Sequence, residues 1–175
     1  RNWCELGDLE LGYMPEPELV AGGVRIAVRA AGLNFADTLM TKGEYQVKPP
    51  LPFSPGLEVA GDVLEVALDV KKIKKGDRVM AVVNYGGYAE EVVTPATDVF
   101  LIPDSMDYTI AAGFPITYGT SHIGIFNKLK LKAEETILIH GAAGGVGITA
   151  VEIAKKVGAK VIAAASGSNK LAIVE

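Results

Sequence analysis

A glycine-rich run between two apolar segments holds the residues with the clearest chemistry in this chain. The run 140–147 follows the apolar residues 136–139 and precedes a stretch with helical periodicity, and residues 160–164 predict a second strand. The run contains the pattern A-x-G-x-x-G, in which Gly144 lets the backbone approach a diphosphate and Gly147 lets the helix lie close on the sheet. We therefore predict a βαβ dinucleotide-binding unit rather than a bare structural turn, with the cofactor-binding residues Ala142, Ala143, Gly144, Gly145, Val146 and Gly147.

The helix after this turn must position the phosphate-binding amides. It is expected to end at Gly158, because glycine favours the end of a helix. Its apolar residues recur at helical spacing and predict one buried stripe, which comprises Val146, Ala150, Ile153, Ala154 and Val157.

The residues after the second predicted strand bear on the choice of nicotinamide cofactor. Units that prefer NAD carry Asp or Glu about 20 residues beyond the glycines, where the carboxylate binds the ribose hydroxyls. Residues 164–170 contain no acid, and Ser166 and Lys170 could bind a 2′-phosphate. The sequence therefore predicts NADPH. The alternative is a plain strand-to-helix turn capped by Ser168 or Asn169, and the two can both hold.

Length and composition exclude several other classes. The chain has 175 residues, 49% of them apolar, and a net charge of −4, which argues against nucleic acid or an anionic membrane as the main partner. No apolar run approaches the roughly 20 residues of a membrane span. The single cysteine, Cys4, excludes an internal disulfide and suits a reducing compartment, so we expect a cytoplasmic protein. A helix expected over 169–175 is cut short, so we expect a longer protein.

The sequence pattern changes from β-type to helical near residue 110. Before residue 110 the pattern is β-rich, with one short helix at 35–42 and strands expected at 24–30, 59–66, 78–83, 89–94 and 99–102. After it, helices are expected at 109–112 and 117–128. The chain is thus predicted to be an α/β protein with a β-rich, barrel-like domain over 1–118 and the first part of a dinucleotide-binding domain over 119–175.

Five ordered motifs resemble the zinc-free quinone oxidoreductase (zeta-crystallin-like) branch of the medium-chain dehydrogenase/reductase superfamily. The resemblance implies a GroES-like catalytic domain, a Rossmann domain that binds NADPH, and usually a homodimer. It also implies hydride transfer to a small-molecule quinone or α,β-unsaturated carbonyl compound. The motifs are residues 30–37, 52–61, 75–79, 86–90 and 140–147.

Two departures from the superfamily's zinc enzymes predict that no metal assists the reaction. A Cys stands in those enzymes where this chain has Asn34, and a His where it has Leu57. Neither an amide nor a leucine replaces thiolate or imidazole as a zinc ligand. Glu58 remains, and we expect it to form a structural ion pair or cap; Asp37 is likewise expected to be structural.

The resemblance also supplies three candidate catalytic residues. Asn34 aligns with an asparagine that lines the cofactor and substrate cleft, Tyr45 with a tyrosine near the nicotinamide, and Thr117 with a threonine at the nicotinamide end. The structural alternative for Tyr45 is a loop residue packed on prolines, and that for Thr117 is a residue at a helix N-terminus. His122 and His140 are expected to be structural.

Other functions remain open at this point. One is an enoyl-thioester reductase of the acryloyl-CoA type, which shares the fold and the cofactor. Another is an NADPH-binding structural protein with little catalysis.

Overall fold

The computed structural model describes residues 2–174, and these form two compact units that divide between Pro115 and Ile116. The first unit is built on one antiparallel sheet with the strand order β4-β1-β2-β3-β5. Its strands are β1 (Gly23–Ala31), β2 (Glu58–Val66), β3 (Arg78–Val82), β4 (Glu91–Pro95) and β5 (Val99–Leu101).

Alternating branched residues form the core of this sheet. Val24 and Ile26 of β1 and Val59 of β2 are fully buried, as expected where successive side chains point to opposite faces. The Thr94 hydroxyl of β4 donates to the carbonyl of Val82 in β3 at 3.0 Å, although two strands lie between β4 and β3 in the sheet. The sheet must therefore curl towards a barrel, as the β-rich sequence predicts.

Short helices complete the first unit. They are the 3₁₀ turns Leu6–Asp8 and Ala96–Asp98 and the helices α1 (Phe35–Thr41) and α2 (Tyr108–Ala112). Asp107 caps α2, because its carboxylate accepts a 3.0 Å hydrogen bond from the Thr109 amide.

Arg78 of β3 holds the segment that leads to α2. Its guanidinium donates to the backbone oxygens of Pro103, Asp104 and Met106 at 2.9, 2.8 and 2.7 Å. Its Nε donates to the Tyr108 hydroxyl at 3.0 Å, and the guanidinium lies 4.4 Å from the centre of that ring.

The second unit is a βαβ arrangement. Strands β6 (Thr136–His140) and β7 (Lys160–Ala164) are parallel and pair Ile139 with Ala163. Helix α4 (Gly145–Val157) connects them and ends at Gly158, whose φ of +89° is the left-handed conformation that glycine allows. The remaining helices are α3 (Phe114–His122), a π-helical segment (Ile123–Leu129) and α5 (Ser168–Leu171). No helix within residues 2–174 has the length and apolarity to cross a membrane.

Two expectations about the helices were wrong in detail. The helix expected over 117–128 begins earlier, as α3, and changes at His122 into the wider π-helical turn. The helix expected over 169–175 ends at Leu171 within the described residues, and residue 175 lies outside them. Periodicity marks helical stretches but does not distinguish hydrogen bonds to the fourth residue from those to the fifth.

The buried face of α4 also differs from the predicted stripe. Val146 is 42% exposed, because it belongs to the first turn beside the open glycine loop. Ala150, Ile153 and Val157 are half-buried. The buried positions of the helix are Gly147, Thr149, Val151 and Ala154.

The Asp62 carboxylate is held by two donors, the Tyr108 hydroxyl and, at 2.7 Å, Arg29 Nε. The hydrogen bond from Tyr108, followed by that from Arg29, keeps the pKa of Asp62 below its ordinary value. A carboxyl with a lowered pKa stabilises the fold above its unfolded pKa of about 3.9, and that stabilisation is lost as the pH falls through the lowered value.

We predict that Tyr108→Phe lowers the free energy of unfolding by roughly 1 kcal/mol at about pH 7. The difference from wild type should shrink at about pH 2, because the stabilisation from Asp62 is lost progressively as the pH falls towards and through its lowered pKa. Urea titrations at the two pH values measure this, with the exposed Tyr13→Phe as control. An equal loss at both pH values would contradict the assigned role of Asp62.

Candidate functional site

The glycine-rich turn leaves β6 and enters α4 through a tightly bonded loop. Gly141 has a φ of +63°, and the Gly144 amide donates to the Gly141 carbonyl at 2.9 Å. The Ala142 amide donates to Ala164 of β7 at 3.0 Å, and Ala142 is fully buried. The left-handed residue is thus Gly141, one position before the alanine that the motif places in the first glycine slot. This residue was not among those we selected from the sequence.

Helix α4 presents unpaired amides at this turn. Gly144 is the N-cap and has no side chain with which to cap, and the first helical bond runs from the Ile148 amide to the Gly144 carbonyl at 2.8 Å. The amides of Gly145, Val146 and Gly147 precede that bond and have no helical acceptors. Residues 144–146 are exposed, so these donors and the positive end of the helix dipole suit a diphosphate.

Gly147 allows the first turn of α4 to pack on the loop. A Cβ at Gly147 would lie 2.2 Å from the Gly141 carbonyl oxygen and 2.8 Å from the Ala142 Cα. Gly147 therefore packs closely against the backbone of the turn itself, at Gly141 and Ala142. By contrast, a Cβ at Gly144 would meet only the Gly141 oxygen, at 3.3 Å. The outer side of the turn is open to a ligand.

Thr117 of α3 lies against this turn. A Cβ at Gly145 would come within 3.2 Å of the Thr117 Cγ2. The Thr149 hydroxyl of α4 lies 3.1 Å from the Thr117 carbonyl and 2.8 Å from the Ser121 hydroxyl, which donates to the Val146 carbonyl at 2.8 Å. This buried hydroxyl pair fixes α3 against the first turn of α4. Sequence reasoning missed it, because a helical Ser or Thr gives no sign of its tertiary partner.

The predicted 2′-phosphate residues follow β7 on an exposed bend. Ser166 and Lys170 are both exposed. Gly167, with a φ of +84°, is the N-cap of α5, and no side chain caps the helix. The expected capping by Ser168 or Asn169 is therefore wrong: both residues lie inside the helix, so neither occupies the cap position.

Asn34 lines a cleft in the first unit. This cleft of about 400 Å³ has mostly apolar walls with a few polar groups, and its lining comprises Leu6, Leu9, Leu33, Asn34, Phe35, Asp37, Thr38, Thr41, Pro55 and Tyr88. The Asn34 side-chain Nδ2 donates to Glu58 Oε1 at 2.8 Å. Glu58 is only 1% exposed, so the Asn34 amide is tied to a buried carboxylate at the start of β2.

Asp37 has the structural role that the sequence predicts. Its buried carboxylate accepts hydrogen bonds from the Asn34 amide at 2.8 Å, the Gly56 amide at 3.2 Å and the Tyr88 hydroxyl at 2.8 Å. Burial, with the hydrogen bond to Asp37 as a second cause, raises the pKa of the Tyr88 phenol. Tyr88 therefore stays protonated around neutral pH and acts as a hydrogen-bond donor to Asp37.

Comparison with known proteins identifies the family. A family model described as the alcohol dehydrogenase GroES-like domain matches residues 20–104. The chain is 48% identical over 154 residues to quinone oxidoreductase-like protein 2 homolog of Nematostella vectensis, which covers 87% of this chain and 42% of that relative. It is 37% identical to the quinone oxidoreductase from Thermus thermophilus, solved also in complex with NADPH, with a TM-score of 0.84 over 98% of this chain and 55% of that one.

This chain belongs to the quinone oxidoreductase branch of the medium-chain dehydrogenase/reductase superfamily. The first unit has the GroES-like fold, and the second contains a βαβ element of the Rossmann type. The CurK enoyl reductase also shares the fold, at 32% identity and a TM-score of 0.86 over 93% of this chain and 52% of that one. The chain spans less than half the length of the Nematostella quinone oxidoreductase-like relative.

The three candidate catalytic residues fall in different places. Asn34 and Tyr45 belong to the first unit, and Thr117 to the second. Tyr45 is half-buried, its amide donates to the Leu39 carbonyl at 3.2 Å, and it is not among the described residues that line the Asn34 cleft. The roles of all three near a nicotinamide stay predictions.

The histidines and other potential metal ligands are dispersed. His122 is exposed, with its ring 4.7 Å from that of Phe126, and His140 is exposed at the end of β6. Across residues 2–174, no three His, Cys, Asp or Glu side chains are grouped so as to hold a metal ion.

We predict that Gly147→Ala destabilises the protein by on the order of 1–3 kcal/mol, because the new methyl group would displace the turn backbone. The control is Gly119→Ala in α3, where a Cβ would meet nothing within 4 Å. That control should be neutral or stabilising by up to about 1 kcal/mol, since alanine favours helix. Denaturant unfolding of the two variants makes the comparison, and equal stability would contradict the tight packing at Gly147.

Proposed function

We propose that the whole protein is an NADPH-dependent reductase that transfers hydride to quinones or α,β-unsaturated carbonyl compounds without help from a metal. The observation that carries this proposal is the glycine-rich turn that enters α4, where residues 144–146 are exposed and the first-turn amides of the helix have no helical acceptors. When bound there, NADPH would supply the hydride, and the protein supplies position and electrostatics.

The residues after β7 support NADPH over NADH. Residues 164–170 contain no carboxylate that would repel a 2′-phosphate or bind free ribose hydroxyls. Ser166 and Lys170 are exposed on the bend that follows the strand, where a hydroxyl and an ammonium group can bind a phosphate. The quinone oxidoreductase of Thermus thermophilus has been solved with NADPH, which agrees with this choice.

The proposal of metal-independent chemistry rests on Asn34 and Leu57. These stand at positions that carry zinc ligands in the superfamily's zinc alcohol dehydrogenases. Leu57 is buried and apolar, and the Asn34 nitrogen is bonded to Glu58. A quinone or enone accepts hydride at a carbon conjugated to its carbonyl, so negative charge develops on the oxygen. Hydrogen-bond donors stabilise that charge, and we assign this task to Asn34 and Tyr45. To Thr117 we assign a contact with the nicotinamide end of the cofactor.

The cleft beside Asn34 suits such substrates. Its apolar walls include Leu6, Leu9 and Phe35, with the Asn34 amide among them. A flat apolar molecule with one carbonyl oxygen matches this lining, because apolar walls bury the rings and one polar group orients the oxygen. An enoyl thioester is the second candidate, and the fold shared with the CurK enoyl reductase favours it. An NADPH-binding structural protein with little catalysis is the third.

Two further proposals concern the state of the whole protein. We propose that the protein is cytoplasmic. Cys4, the one cysteine of this sequence, is free, and a free thiol is compatible with a reducing compartment. The resemblance to the quinone oxidoreductase branch supports a homodimer.

We predict that the full-length protein binds NADPH at least about tenfold more tightly than NADH. Lys170→Glu should remove most of that preference by placing a carboxylate near the 2′-phosphate. The control is Lys156→Glu, an exposed lysine at the far end of α4. Fluorescence titration with both cofactors measures the ratios. Equal affinities of the wild type for NADPH and NADH would overturn the assignment.

We also predict that the full-length protein oxidises NADPH when given a quinone or an enone, and that a metal chelator leaves the rate unchanged. A panel of quinones, enones and enoyl thioesters, followed at the NADPH absorbance, ranks the substrate classes. Faster turnover of thioesters would favour the second candidate. NADPH binding without turnover of any substrate would favour the structural protein.

A further inference from the structure

We propose that Glu58 is a positioning residue that fixes the direction of the Asn34 amide in the cleft. The proposal deepens the proposed function and depends on it, because it assigns a cause to the orientation of a group that we place beside the substrate carbonyl. It concerns the contact between β2 and the residue before α1, and both lie in the first unit.

The contact itself selects one orientation of the amide. Asn34 Nδ2 lies 2.8 Å from Glu58 Oε1, and Glu58 is 1% exposed. A carboxylate offers only acceptors, whereas an amide has a donor end and an acceptor end. Rotation of the amide by half a turn would bring its oxygen against the carboxylate, and the repulsion is strengthened because Glu58 is buried. The second N–H and the carbonyl oxygen of Asn34 therefore keep fixed directions.

The neighbouring backbone is shaped to accept Glu58. Gly32 is buried, and a Cβ there would lie 2.3 Å from Glu58 Oε1 and 2.6 Å from the Ala112 carbonyl oxygen. The Gly32 amide also donates to the Glu58 carbonyl at 3.1 Å. Any side chain at position 32 would push the carboxylate away from Asn34, so the segment before Asn34 leaves room for this contact.

A second carboxylate holds the Asn34 backbone. Asp37 accepts the Asn34 amide at 2.8 Å and is itself held by Gly56 and by the Tyr88 hydroxyl. The main chain of Asn34 is thus fixed by Asp37 and its side chain by Glu58. Asn34 is half-buried and lines the cleft, so these two contacts together set which edge of its amide faces the cleft.

The test is a double-mutant cycle in the full-length protein, with NADPH and a quinone. Asn34→Ala is expected to lower kcat about a hundredfold to a thousandfold, the range found when one positioned donor is removed. Glu58→Gln keeps the shape but offers Asn34 either an acceptor or a donor, so we expect kcat to fall several-fold with little change in the KM for NADPH. In the Asn34→Ala background, Glu58→Gln should change kcat no further.

The matched control is Glu65→Gln, the same substitution at an exposed position of the same strand, which should leave kcat unchanged. If Glu58→Gln lowers kcat by the same factor with and without Asn34, Glu58 has a general structural role and the positioning proposal is overturned. If Asn34→Ala has no effect on a working enzyme, the proposal is likewise overturned.

A measurement without turnover separates this inference from the proposed function. In protein labelled at asparagine nitrogens, the Asn34 side-chain amide should give two well-separated proton resonances, and Glu58→Gln should shift them while Glu65→Gln does not. If the wild type oxidises no NADPH but shows this shift, the proposed function fails and the contact stands. If Glu58→Gln leaves the resonances unmoved, the positioning proposal fails whatever the activity.

Discussion

The backbone at Gly147 lies so close to the carbonyl oxygen of Gly141 that only a hydrogen fits between them, since a Cβ would be 2.2 Å from that oxygen. This approach brings the first turn of α4 down onto the loop that leaves β6. Ala142 of this loop is fully buried, whereas residues 144–146 at the start of α4 are exposed. The hydroxyls of Ser121 and Thr149 hold α3 against the same turn. The phosphate-binding role that we propose for the second unit thus depends on one missing side chain.

In the first unit, buried polar groups are held in place within an otherwise apolar core. Glu58 and Asp37 are almost completely buried, and each accepts hydrogen bonds from the segment around Asn34. A buried carboxylate without donors would be costly. Because both carboxylates accept hydrogen bonds, they hold the start of α1 in a single conformation. Asn34, which lines the cleft, is therefore held in place as well.

Much of this organisation could be predicted from the sequence. Alternation around Val24 and Ile26 predicts β1, and the pattern from Ala142 to Gly147 predicts the turn because both signals are local. The contact between Asn34 and Glu58 could not be predicted from spacing, since 24 residues separate them and only the pairing of strands brings them together. One clue was present: Glu58 is the single charged residue in the apolar run from Leu57 to Ala60. Val146 was predicted to be buried but is 42% exposed. Periodicity marks the apolar face of a helix, but it does not show at which residue the rest of the protein stops covering that face.

The hydrogen bonds from Arg78 to the segment before α2 affect how this region tolerates sequence change. Its donors reach the main-chain oxygens of Pro103, Asp104 and Met106, and none of these bonds uses a side chain of the segment. Main-chain carbonyls are present whatever residue occupies a position. The segment can therefore drift in composition while Arg78 stays in place, whereas loss of the arginine would release all three anchoring points at once.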